Sequence, residues 1–129
     1  SDSEVQDAYT YNVFPNFSPW GGYGQAVVYR WRPWPDQDHT LMEVRLIQRA
    51  RPGETPPPCP PMDLIPDDQD CDPLIGQLGA VLNQDMANIP FVHSGMKAMH
   101  GGKVQLAHYQ ESRIRHWHQT IDKYLDGKL

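Results

Sequence analysis

Apolar positions along this chain follow two rhythms, and each predicts a different kind of element. From Ala8 to Phe14 the run AYTYNVF is rich in aromatic and β-favouring residues, with Tyr9, Tyr11 and Val13 on one face, and predicts a strand. Pro15-Asn16 closes it, and SPWGGYG reads as a turn-rich connection. Gln25 to Trp31 (QAVVYRW) predicts a second strand, closed by Pro33 and Pro35, and Thr40 to Gln48 (TLMEVRLIQ) a third. In the third, Met42, Val44 and Leu46 share one face while Glu43 and Arg45 share the other, so one side is expected to face water. Consecutive strands joined by short loops predict an antiparallel meander of three or four strands, with an apolar face that helices must cover.

After Asp72 the period changes. Leu74, Ile75, Leu78, Val81, Leu82, Met86 and Ile89 recur at helical spacing, which predicts a helix from Pro73 to Ile89 with Asp72 as N-cap. Pro90 predicts a break or kink at Ile89, and Phe91 to Met99 a further helical segment ended by Gly101-Gly102. Lys103 to Ala107 is expected to be briefly extended. His108 to Leu125 then reads as a long helix with an apolar stripe of Ile114, Trp117, Ile121, Tyr124 and Leu125, an i, i+4 pair of Glu111 and Arg115, and a stop at Gly127. One residue breaks the pattern. At about 100° per residue Asp85 lies within roughly 40° of Leu78, Val81 and Ile89, which places a carboxylate on the stripe expected to be buried. An unpaired charge there is costly, so such an Asp caps a neighbour, pairs with a cation or binds a metal.

Between the strands and the helices, residues 51–72 (RPGETPPPCPPMDLIPDDQDCD) have no periodicity and form a proline-rich loop. The PxxP spacing within Pro57 to Pro61 could serve an SH3-type interaction domain, but PxxP is a weak pattern and a proline-stiffened surface loop is the favoured reading. Asp67, Asp68, Asp70 and Asp72 resemble half a calcium loop without its glycine or closing Glu, and read as a solvated acidic turn.

Charge and length narrow the classes. With 129 residues the chain is one domain by length, and 11 basic against 16 acidic residues give a net charge of −5. No basic run or basic helix face exists, which argues against nucleic acid and anionic membrane as partners. No apolar run approaches the ~20 residues of a membrane span, and SDSEVQD is unlike a signal peptide. Cys59 and Cys71 are then expected to be free thiols of a cytoplasmic protein. His116 and His118 lie ~200° apart around their helix and cannot clasp one ion. His93 and His100 have no fixed geometry, and neither H-x-x-x-H, H-E-x-x-H nor GxSxG occurs. Asp85 therefore has no identifiable partner within the chain.

Four blocks, NVFPNFSPWGG, then Met42-Glu43-Val44, then NQDMANIPFVHSGMKA, then YQESRIRHWHQTIDKYL, resemble the end of Rieske-type ring-hydroxylating oxygenase alpha subunits. The similarity runs in order from about Tyr9 to Leu125, and the QDMANIP and YQESRIRHWH blocks carry most of it. The resemblance implies an α+β chain, an antiparallel sheet packed against two principal helices as part of a helix-grip (START/Bet v1-like) fold. It also implies a mononuclear non-haem Fe(II) held by two histidines and one carboxylate, the last matching Asp85, with open positions for dioxygen. The paired histidines and the C-x-H and C-x-x-H ligands of a 2Fe-2S Rieske cluster are not in these 129 residues. Residues 1–129 thus resemble the C-terminal part of the catalytic domain, inactive by itself and without tightly bound iron.

The implied activity is hydroxylation of an aromatic or similarly apolar substrate with dioxygen. Implied partners are the rest of the alpha subunit, an electron-transfer reductase or ferredoxin, and further copies in a homo-oligomer. Phe14, Asn16, Leu78 and Val81 are candidates to line the substrate pocket, since strand ends and the helix face near Asp85 should border it. Glu111 and Arg113 are expected to serve packing or subunit contacts. The alternative is a non-enzymatic helix-grip module that binds an apolar ligand and uses Asp85 as a paired structural acid.

Overall fold

The computed structural model of the protein describes residues 2, 6–22 and 25–128. It is α+β, with a four-stranded open antiparallel sheet and helices, consistent with a helix-grip-like fold. The strands are β1 (Tyr9–Thr10), β2 (Phe17–Gly21), β3 (Gln25–Pro33) and β4 (Thr40–Gln48), and they pair in sequence order. The helices are α1 (Asp72–Ile75), α2 (Gln77–Ala98) and α3 (Ser112–Leu125). Two compact units result: Ser1–Pro56 with Leu106–Leu129, which holds the sheet and α3, and Pro57–Gln105, which holds α1 and α2.

The central pair is β3 and β4, in register from Gln25↔Gln48 to Pro33↔Thr40. Their turn is held by the Trp34 N–H donating to the His39 carbonyl at 3.1 Å and by Asp36, whose Oδ1 accepts from the Asp38 N–H at 2.9 Å and meets His39 Nδ1 at 2.7 Å. The hydrogen bond from His39, with help from the Asp38 N–H, holds the Asp36 carboxyl below its ordinary range. Strand β4 has the predicted bounds, and β3 runs two residues further than predicted.

The first hairpin departs from expectation. Phe17–Gly21 is a strand and not a connection, paired with β3 from Phe17↔Arg30 to Gly21↔Ala26. Pro19 and Gly21, which read as turn residues, have strand roles. The Tyr11 N–H donates to the Pro19 carbonyl at 2.9 Å, but Pro19 has no N–H to return, so the ladder is interrupted there. The predicted strand Ala8 to Phe14 is therefore reduced to Tyr9–Thr10 and an isolated bridge, Val13↔Phe17. Gly21 sits where a Cβ would stand 2.6 Å from that of Ala26, a crossing that only glycine allows.

Alternation sorts the side chains onto two faces. Trp20, Tyr29 and Trp31 form a row on one face, with ring centroids 6.2 Å and 5.9 Å apart, and Val27 on that face is 6 % exposed. On the other face Glu43 is buried, contrary to the wet side predicted for it, because Arg30 and Arg32 both fold over it. Helix α3 is fastened to the β1–β2 hairpin. Arg113 donates to Thr10 Oγ1 at 3.0 Å, Trp117 Nε1 donates to the Pro15 carbonyl at 2.8 Å, and the rings of Phe14 and Tyr124 lie 5.9 Å apart.

Helix α3 begins four residues later than predicted, and its start is clamped by side chains. The Glu111 carboxylate accepts from the Ala107 N–H, while Arg115 donates to the His108 carbonyl at 2.6 Å. The two residues read as a surface pair thus both hold backbone. Lys103 to Ala107 joins no sheet. Gly127, at φ 68°, ends the helix as expected.

The helix predicted from Pro73 to Ile89 is two helices. Gly76 takes φ 60° and ψ −137° between α1 and α2, a backbone state that favours glycine, and turns the chain. The N-cap position is Cys71, not Asp72. The break expected at Pro90 does not occur: α2 continues to Ala98 without the bond that a Pro90 N–H would have given. The proline-rich loop is irregular and exposed over Pro56 to Pro61, and Cys59 and Cys71 are free thiols. No helix among the described residues is long and apolar enough to cross a membrane.

Candidate functional site

Leu78, Val81, Asp85, Ile89, Val92 and Met96 follow one line along α2, each within about 40° of Asp85 around the axis. The predicted stripe is real, but its burial is not. Leu78 is half-buried, Asp85 is exposed, and Val81, Ile89, Val92 and Met96 are 49–54 % exposed. The buried positions of α2, Gly79 and Leu82, lie on the side where α1 packs. A short helix, cut off by Gly76, covers only one side of α2.

Asp85 makes no hydrogen bond or ion pair among the described residues, so its oxygens are open. Two residues earlier, Asn83 is engaged at both ends of its amide. Its Oδ1 accepts from the Cys71 N–H at 2.8 Å, and its Nδ2 donates to Asp72 Oδ1 at 3.2 Å. Asn83 thereby supplies from α2 the cap that the start of α1 lacks. Sequence reasoning missed Asn83, because its partners are eleven and twelve residues away and no local pattern marks them.

The other predicted lining residues lie in the sheet unit. Phe14 is half-buried on a cleft of about 590 Å³ whose walls include Thr10, Tyr11, Arg113, His116 and Trp117. Asn16 does not line that cleft; its carbonyl accepts the Trp31 N–H at 3.0 Å and anchors the β1–β2 turn to β3. The structure therefore groups Leu78, Val81 and Asp85 on one helix face and places Phe14 and Asn16 at one hairpin.

Glu43 is the buried ionisable group among the described residues, and its role is structural. Arg30 reaches its Oε1 at 2.8 Å and Arg32 at 2.9 Å. The hydrogen bond from Arg30 is the main cause that lowers the Glu43 pKa below the usual carboxylate value; burial opposes it and the charges of both arginines reinforce it. A carboxylate so held is ionised at neutral pH and is no proton donor.

No group of three or more His, Cys, Asp or Glu side chains among the described residues could hold a metal ion. The donor set nevertheless fits a metal in one respect. An exposed, unpaired carboxylate on a helix flanked by apolar side chains can serve as one oxygen ligand of a set completed elsewhere.

Comparison with curated proteins and with solved structures returned no match. A family model described as "Ring hydroxylating alpha subunit (catalytic domain)" matches residues 1–127. That match takes in both compact units, the sheet with α3 and the α1–α2 pair that carries Asp85. With nearly its whole length matched, the chain belongs to the ring-hydroxylating alpha subunit family, in the region of that family's catalytic domain.

Proposed function

We propose that residues 1–129 are the C-terminal portion of the catalytic domain of a cytoplasmic Rieske non-haem iron oxygenase, with Asp85 as the carboxylate ligand of the iron. The observation that carries this reading is the open Asp85 carboxylate at the centre of an exposed apolar stripe. An ordinary surface Asp does not need apolar neighbours on both sides along one helix face, and a structural one has a partner. In this reading two histidines and the 2Fe-2S cluster come from sequence other than these residues. Electrons arrive from a reductase or ferredoxin, and the alpha subunit works as a homo-oligomer.

When bound, ferrous iron supplies the reductive activation of dioxygen. This chain supplies one oxygen donor and the surface around it. Leu78 and Val81 flank Asp85 and would exclude water from an aromatic or similarly apolar substrate. Anaerobic calorimetric titration with Fe(II) tests the reading. The isolated chain is expected to bind weakly and to show no oxygenase activity, whereas the complete alpha subunit binds one iron that Asp85→Ala removes. Stoichiometric, micromolar binding by the isolated chain, or iron retained by Asp85→Ala, would overturn it.

A further inference from the structure

The α1–α2 corner fixes how α2 is rotated about its own axis with respect to α1 and the chain that leads into it. Asn83 holds it by the two hydrogen bonds to Cys71 and Asp72. Gly79, one turn earlier, lets the chains approach so closely that a Cβ there would stand 2.4 Å from the Asp72 Cα. Asp85 lies about 160° around the helix from Asn83, on the far side from this grip. A helix turned by about 10° carries an atom ~5 Å from its axis through nearly ~1 Å. A ligand constellation tolerates only about 0.5 Å. Whatever sets the rotation of α2 therefore sets where the Asp85 carboxylate is presented.

We infer that Asn83 is a positioning residue for Asp85: braced against Cys71 and Asp72, it fixes the azimuth of the proposed iron ligand without touching the iron. This rests on the ligand reading above. Asn83→Asp isolates the effect. It keeps the acceptor for the Cys71 N–H, and so keeps the cap of α1, but replaces the donor to Asp72 by a second carboxylate at the same place. Adding Asp72→Asn restores the bond in reverse, with the amide of residue 72 donating to the carboxylate of residue 83.

The experiment uses the complete alpha subunit and reads Fe(II) affinity by anaerobic titration, together with the electron paramagnetic resonance line shape of its nitric oxide adduct. Asn83→Asp is expected to weaken iron about tenfold, the low end for residues that orient a ligand, and to change the line shape. Asp72→Asn/Asn83→Asp is expected to restore both. A normal affinity and line shape in Asn83→Asp, with iron lost in Asp85→Ala, overturns the positioning role and leaves the ligand reading standing. A double variant as impaired as Asn83→Asp also overturns it. Iron retained by Asp85→Ala removes the ligand reading and this inference with it.

Discussion

Arg30 and Glu43 stand directly opposite each other on β3 and β4, and the guanidinium donates to the carboxylate at 2.8 Å. With Arg32 at 2.9 Å on the same oxygen, an acid on a strand face predicted to be wet becomes one of the more buried side chains of the sheet. Cross-strand pairs of opposite charge stabilise an antiparallel ladder.

That pair sets a pH dependence. The Glu43 pKa is lower in the folded chain, chiefly through the Arg30 hydrogen bond. A depressed folded pKa means that the unfolded chain binds the proton more readily. The contribution is then fully present above the unfolded glutamate value of about 4.3 and is lost as pH falls through the folded one. Glu43→Gln is expected to be less stable than wild type at pH 7, with the gap between their urea midpoints narrowing below about pH 4. A gap that stays constant from pH 7 to pH 3 would show that the charge on Glu43 contributes nothing.

Gly79→Ala tests the corner. In an open helix this change adds about 1 kcal/mol of stability. At Gly79 the new methyl would stand 2.4 Å and 2.5 Å from the Cα and N of Asp72, atoms of backbone that cannot swing aside. Overpacking of this kind costs about 1–3 kcal/mol, which outweighs the propensity gain. Net destabilisation in urea unfolding is the expected outcome; a stabilised variant would mean that α1 moves freely away from α2.

The proline-rich loop is expected to be dispensable for stability. Pro56 to Pro61 are all exposed and join no sheet or helix. Closure entropy depends weakly on length, so replacing these residues by a short Gly/Ser linker should cost under ~1 kcal/mol. A loss of several kcal/mol in urea unfolding would reveal packing that the exposure of these residues does not suggest.

What could be read from the sequence depended on whether one residue's neighbours along the chain decide its state. TLMEVRLIQ alternates cleanly and pairs along its whole length, so β4 emerged with its bounds correct. Phe17–Gly21 could not be read, because Pro19 and Gly21 are turn residues by propensity and become strand residues only through β3 and the close Ala26. Gly76 was lost inside a helical apolar pattern, since a single positive φ leaves the spacing of Leu74, Ile75 and Leu78 intact. The Asp85 stripe was legible as a face because helical spacing is local. Its exposure was not, because burial depends on what packs against the helix.

A buried, unpaired Asp85 would gain stability on replacement by Leu, and a paired structural Asp85 would lose ~3 kcal/mol or more. Asp85 is instead exposed and without a partner among the described residues. Asp85→Leu in the isolated chain should therefore change unfolding stability by no more than about 0.5 kcal/mol. Its effect belongs to association. Leucine at 85 removes the charge that interrupts the line of Leu78, Val81, Ile89, Val92 and Met96, and a longer exposed apolar patch promotes self-association. Sedimentation at tens of micromolar is expected to show the wild-type chain partly associated and Asp85→Leu more so. A variant destabilised by several kcal/mol would reveal a structural partner for Asp85 and sink its assignment as an open ligand. A variant that sediments as a clean monomer would show that the stripe is not a sticky surface.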